Sequence, residues 1–430
     1  MNNRMQLEEQ PFTFFHVKLM LLVFGAHMID GYALGIVGHV IVALNEKAPL
    51  TPYIQGLVGS SALAGLFLGS LLLGQLADRR GRNVIFMTSF IFISLASVAQ
   101  YFYYDATSII FWRFILGIGI GGDYAVGLTL LAEFLPQKHR GVVLGLFSPV
   151  WTIGYIIASM TGGYFVGSNA EAINLQLSLP AIPALLILIL RLGIPESPIW
   201  LISKGRQREA SAILKKFFSH SANITLSVSK NTVGYSGFHR LFAKEIWRKT
   251  LFSSLFFVCI VVPYFAVYTF FPILTTKLNL PVSINGIPGL ELFLFFGALF
   301  GLYFVWRFSR RTFTLSCFTI LFISLVVLSQ ASTLFVMGIA FAVFTLVISA
   351  ISNLTGVYLP ECFPTELRST GVGFSTAISR IGAALGTFLL PILVDEKGIE
   401  ATLLLLSGVL LVGLLASWRL APETRDATLA

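Results

Sequence analysis

From Phe111 to Gly141 the chain reads FWRFILGIGIGGDYAVGLTLLAEFLPQKHRG. This apolar run is long enough to cross a bilayer as one helix, for which about 20 residues suffice, yet Arg113 and Asp123 lie inside it. Each such charge costs about 2.5 to 3.5 kcal/mol at mid-depth on insertion scales, so both must face protein or a water-filled space rather than lipid. Gly117, Gly119, Gly121 and Gly122 leave the backbone bare between them, either for close approach of a neighbouring helix or as room for a solute. The run ends on Glu133-x-x-Pro136-x-x-x-Arg140, and the same spacing returns as Glu361-x-x-Pro364-x-x-x-Arg368. Pro195-Glu196-Ser197 returns in the same way as Pro422-Glu423-Thr424. A chain with these echoes is built twice.

Apolar windows of similar length start near Val17, Ile54, Val84, Ser108, Val142, Leu175, Leu251, Ile284, Phe313, Leu334, Gly371 and Ala401. The residues between them are few and polar, and with 56% of the chain hydrophobic and 11% charged there is too little polar surface for a soluble globule. Continuous apolar runs exclude a transmembrane barrel, whose strands alternate. The expected fold is an all-α membrane protein of twelve transmembrane helices in two six-helix pseudo-symmetric halves. Residues 1–193 form the first bundle, 194–248 a cytoplasmic connection with short helices, and 249–430 the second bundle. The connection carries a Ser-, Asn- and Thr-rich tract from Ser219 to Ser236 that reads as a flexible linker.

The net charge of +9 has a topological meaning. With the N-terminus in the cytoplasm, every Lys and Arg falls on that side except Lys47, Lys277 and Lys397, which face out, and Arg113 and Arg380, which lie within spans. The positive-inside rule therefore puts both termini in the cytoplasm, and nucleic acid is not needed to explain the charge. MNNRMQLEEQ is too polar for a signal-peptide core, so the first span is its own uncleaved insertion signal. Cys259, Cys317 and Cys362 have no metal-ligand spacing and read as inert small apolar residues. Nothing groups a nucleophile with a base and an orienting residue, so no enzyme, metal or cofactor is expected.

In span 1, His27 and Asp30 share a helix face near mid-depth. Asp30 is a proton site or a carboxylate held ionised by an Arg, and His27 is a packed histidine or a proton carrier. Gly74-x-x-x-Asp78-Arg79-Arg80-Gly81-Arg82 makes a tight turn after span 2, where Asp78 can accept backbone N–H bonds and the arginines can pair with neighbouring acids. Arg113 stands roughly 15 Å from Asp123 along the helix axis and so is better placed to reach Asp30. Trp151 and Tyr155 share one face of span 5, as cavity wall or packing. Span 7 carries Tyr264 and Tyr268 between Pro263 and Pro272, which implies a bent or broken helix. Asn353 belongs to span 10, and Arg380 to span 11 in STAISRIGAALG with no obvious acidic partner in the second-half spans apart from Glu291 near the outer start of span 8, an arrangement that invites an anion.

These residues together resemble the major facilitator superfamily, in the branch of sugar porters, phosphate:proton symporters and organic-ion transporters. Gly74, Asp78, Arg79, Gly81 and Arg82 are similar to its loop 2-3 signature. Arg113, Glu133, Arg140, Glu196, Glu361 and Arg368 are similar to the sugar-porter network that closes the cytoplasmic gate, with Ile199 where that branch usually has Arg. The glutamines, asparagine and tryptophan that hold a hexose in sugar porters are absent from their positions. GIGIGGDY and ECFPTELRSTGVG are similar to phosphate symporters, and Arg380 to the helix 11 arginine that meets carboxylates in organic-anion carriers. The resemblance implies a proton-coupled secondary transporter of the inner or plasma membrane, working as a monomer by alternating access. Asp30, Arg113 and Asp123 are the expected proton-coupling residues. Arg380, Tyr124, Trp151, Tyr155, Tyr264, Tyr268 and Asn353 are the expected substrate site. A small organic anion is favoured over inorganic phosphate or a sugar, an uncoupled exporter being a further alternative. A non-transporting receptor on the same scaffold is the reading from a different class, and the short tails argue against it.

Overall fold

The computed structural model describes residues 12–103, 105–164, 170–217, 237–278, 289–364 and 367–424. The expected linker, Ser219 to Ser236, lies outside them, as does MNNRMQLEEQ. The described residues contain no strand. Ten helices are long and apolar enough to cross a membrane. They are α1 (Phe14–Lys47), α2 (Pro52–Arg80), α3 (Arg82–Phe102), α4 (Ala106–Phe134), α5 (Lys138–Tyr164), α6 (Ile173–Arg191), α7 (Trp247–Thr269), then Arg310–Gln330, Leu334–Ser352 and Thr370–Leu420. Leu292–Arg307 is a shorter apolar helix and becomes α8, so Arg310–Gln330 is α9 and Leu334–Ser352 is α10. Gly398, at φ 82°, divides the last element into α11 (370–397) and α12 (399–420). Among the described residues this makes twelve apolar helical segments.

Local chemistry starts these helices. The Thr51 hydroxyl accepts from the Ile54 amide ahead of α2, with Pro52 at the first helical position. Asp105 caps α4 by accepting from the Ser108 amide at 3.0 Å, and the Ser108 hydroxyl and amide together hold its carboxyl below the usual carboxylate range. The prolines act differently from their expected roles. Pro263 sits inside continuous α7, and the chain breaks at Phe270, before Pro272, to start the short helix Phe271–Lys277.

α1 packs on α5, α4 lies between α2 and α3, and α7 lies along α11 and α12, with α9 beside α10 and α12. The approach of α1 to α5 rests on Gly31 and Gly154. A Cβ on Gly154 would run into the Met28 carbonyl and stand 3.0 Å from the Tyr32 amide, and one on Gly31 would strike the Trp151 carbonyl. The glycines of α4 serve approach in the same way: a Cβ on Gly117 would strike Ala62, on Gly121 Leu66, and on Gly119 Ile93. Gly154→Val is expected to lower the melting temperature by several degrees or prevent folding, since overpacking alone costs about 1–3 kcal/mol. Unchanged melting of the detergent-purified variant would show that the two backbones do not need to touch.

Candidate functional site

The repeated motifs build the same bonded frame twice, once in each half. In the first copy Arg82 and the Ser197 hydroxyl both donate to the Glu133 carboxylate. Glu196 accepts from the backbone amides of Arg82 and Asn83 at 3.0 and 3.2 Å. In the second copy Arg310 donates to Glu361 at 3.1 and 3.2 Å, and the Thr424 hydroxyl to Glu361 at 2.6 Å. Glu423 accepts from the amides of Arg310 and Arg311 at 3.1 and 3.2 Å. Arg140 donates to the Leu135 carbonyl and Arg368 to the Pro360 carbonyl, each at 3.1 Å. Gly81 is required here, because its φ is 117° and a Cβ would strike the Glu196 carboxylate.

This corrects the expected role of Asp78. Glu196, from the loop after α6, accepts the helix-start amides, whereas Asp78 is exposed and contributes its main-chain carbonyl to the Trp200 indole at 3.1 Å. Arg79 is exposed beside it, and Gly74 lets Ala125 approach, a Cβ there standing 3.4 Å from it.

Mid-depth holds the charges. Asp30 is fully buried, and neither carboxylate oxygen has a hydrogen-bond partner. The His27 Nδ1 stands 3.7 Å from it. The expected pairing of Arg113 with Asp30 is not formed: Arg113 donates to the Ala33 carbonyl at 3.1 Å, and its Nε and Nη2 have no partner. Asp123 is instead paired with Arg191, Nη1 to Oδ1 at 2.7 Å. Sequence reasoning passed over Arg191, the last residue of α6, because positive-inside counting places such a residue at the rim. Its side chain is 0% exposed and turns back into the bundle, with the guanidinium 3.5 and 3.8 Å from the ring centroids of Phe86 and Phe90.

Arg380 lies at the seam between α1–α6 and α7–α12. Its guanidinium is 5.7 Å from the Tyr124 ring of α4, and 5.8 and 5.9 Å from Phe257 and Phe265 of α7. The residue is half-buried, its Nε is shielded from water without a hydrogen-bond partner, and no ion pair to it occurs among the described residues. His27 extends the aromatic wall, 4.9 Å from Tyr124 and 4.7 Å from Phe147 between ring centroids.

Trp151, Tyr155, Tyr264 and Tyr268 come together as one aromatic cluster across the seam. Trp151 stacks on Tyr155 and lies 5.9 Å from Tyr264, while Tyr264 and Tyr268 are 5.0 Å apart. The Tyr155 hydroxyl donates to the Tyr268 carbonyl at 2.9 Å, and farther out Ser159 donates to the buried carboxylate of Glu291 at 2.5 Å. These bonds fasten the seam along α5, away from the bonded frames. Asn353 does not join the site: its amide donates to the Ala298 carbonyl at 2.9 Å, inside the contact of α8 with α10.

Three comparisons bear on this geometry. The model of the family described as sugar (and other) transporter matches residues 18–430. The inner membrane metabolite transport protein YgcS of Escherichia coli (strain K12) is 45% identical over 423 residues, covering 98% of this chain and 94% of that one. The niacin transporter NiaP of Acinetobacter baylyi is 27% identical over 437 residues, covering 99% and 98%. Among solved structures, a partially occluded inward-open conformation of the xylose transporter XylE from E. coli matches with a TM-score of 0.78 at 18% identity, covering 97% of this chain and 100% of that one. At that identity the likeness is one of fold.

Proposed function

The chain belongs to the sugar (and other) transporter family of the major facilitator superfamily, and from that premise we propose that it carries a small organic anion, coupled to a proton, by alternating access. Its family is one of membrane transporters of metabolites, so the chain is a transporter and not an enzyme. The carrier works as a monomer in the inner membrane with both termini in the cytoplasm. Residues 1–193 and 249–430 are the rocking halves, and 194–248 connects them.

The observation that carries the anion is Arg380. An unpaired guanidinium with a shielded Nε, set among three rings at the seam, has its charge poorly balanced until a ligand supplies a negative group. A carboxylate matches the guanidinium fork, and Tyr124, Phe257 and Phe265 offer a flat apolar body faces to stack on. Aromatic monocarboxylates fit both features, and the NiaP relative, named for niacin, a pyridine carboxylic acid, supports that class. A hexose finds little here, since the Asn353 amide is engaged on α8.

Asp30 is the proton site, with Asp123 as the second acidic group, and the frames of Glu133, Glu196, Glu361 and Glu423 form the cytoplasmic gate. The bonds from Tyr155 and Ser159 hold the outer side shut, which supports an inward-facing state. Thermal stability of the purified protein against aromatic carboxylates, phosphate and pentoses or hexoses tests the substrate class. A ligand at a hundred times its Kd adds about 2.7 kcal/mol, enough to raise the melting temperature by degrees. Stabilisation by carboxylates alone is expected; stabilisation by phosphate or sugar alone would replace the reading.

A further inference from the structure

Arg191 has more donor capacity than the bonds it makes. Nη1 serves Asp123 and the Phe86 carbonyl, whereas Nε and Nη2 are buried with no partner, in a slot walled by Phe86 and Phe90. Asp30, whose two oxygens also lack partners, and Asp123 are within electrostatic reach of each other and of this guanidinium. Two carboxylates thus share one cation. If both were ionised, the Asp30 charge would lie buried without a hydrogen bond, at a cost of several kcal/mol.

The internal repeat supplies a control. Asp123 stands ten positions before Glu133, and ten before Glu361 stands Ile351; Arg191 stands five before Glu196, and five before Glu423 stands Trp418. The second half builds the same bonded frame with apolar residues at both places. The frame therefore does not need the pair. Replacing a buried ion pair by apolar residues is often neutral or stabilising, so its presence in one half only calls for a role other than holding the fold.

We propose that Arg191 is a positioning residue of the proton step, the counter-charge for which Asp30 and Asp123 compete. With Asp30 protonated, Arg191 stays on Asp123; with Asp30 ionised, its free donors turn to Asp30. Arg191 leads directly into Glu196 and Ser197, Asp123 shares α4 with Glu133, and Phe86 shares α3 with Arg82 and Asn83. A change of partner at mid-depth is thereby delivered to the gate frame of the first half alone. The inference rests on the reading of Asp30 as the proton site.

Among the described residues, the other titratable or charged groups near Asp30 are His27 on α1, Tyr124 on α4, Arg113 of α4 one turn away at the Ala33 carbonyl, and Arg380 of α11 beside Tyr124. α5 and α7 bring Tyr155, Tyr264 and Tyr268, which belong to the aromatic cluster, and α3 faces Arg191 with Phe86 and Phe90.

The test is counterflow of benzoate or nicotinate in proteoliposomes at equal pH on both sides, measured as a function of pH. Arg191→Gln removes the cation that favours the carboxylate, so the midpoint at which exchange falls is expected to rise by about one pH unit or more. Asp123→Asn removes the competing carboxylate and leaves Arg191 to Asp30 alone, so it keeps the measurement open should Arg191→Gln not fold and is expected to move the midpoint the other way, down. In an Asp30→Asn background both shifts should vanish. A wild-type midpoint in either folded variant overturns the inference and makes the pair structural. If Asp30→Asn by itself keeps the wild-type profile, the proton-site reading fails instead.

Discussion

Arg380→Ala is expected to weaken binding of carboxylate substrates roughly 30-fold or more, with little change in the melting temperature of the unliganded protein. Removing one partner of a buried charge-assisted pair costs about 2 to 5 kcal/mol, and each 1.4 kcal/mol is about tenfold in affinity. The fold is spared because the guanidinium makes only ring contacts at 5.7 to 5.9 Å and no ion pair among the described residues. Arg380→Lys keeps the charge but loses the planar fork, so an intermediate affinity is expected. Ligand-induced thermal shift and proteoliposome uptake both read the effect. Carboxylate binding that survives the Ala substitution intact would remove Arg380 from the site, and with it the argument for an anion.

Asp30→Asn is expected to abolish uphill accumulation while leaving exchange of labelled for unlabelled substrate in place. A monoanion moving with one proton carries no net charge, so the pH gradient alone drives it, at 1.36 kcal/mol or about tenfold accumulation per unit. Membrane potential, which is worth about 2.3 kcal/mol per charge per 100 mV, should then have no effect on the final ratio. The amide of Asn fills the same volume as the carboxyl but cannot release a proton, so the carrier should still reorient while loaded and equilibrate its substrate to a ratio of about one. Accumulation that still follows the pH gradient in the variant would exclude Asp30 as the coupling group. Accumulation that follows voltage in the unmodified protein would change the charge stoichiometry.

The apolar helices and the internal repeat were legible in the residue order because they depend on local quantities. Twenty apolar residues make a crossing wherever they stand, and Glu133 to Arg140 and Glu361 to Arg368 declare the repeat without any contact being known. The bonded frames were half legible: the acids and arginines were singled out, but Glu196 rather than Asp78 receives the helix-start amides. That choice depends on where the loop after α6 comes to lie against α3.

What spacing could not decide was who pairs with whom in the interior. Asp123 takes Arg191, Arg113 takes the Ala33 carbonyl, Asn353 takes the Ala298 carbonyl, and the four aromatic residues expected around a solute meet one another across the seam. Each of these partners comes from a different helix. Their meeting is set by the rotation of each helix about its axis and by the backbone approach that Gly31 and Gly154 allow. Hydropathy and motif spacing record how far along a helix a residue lies; only packing fixes which way it points, and in a medium without water that direction determines every buried charge's partner.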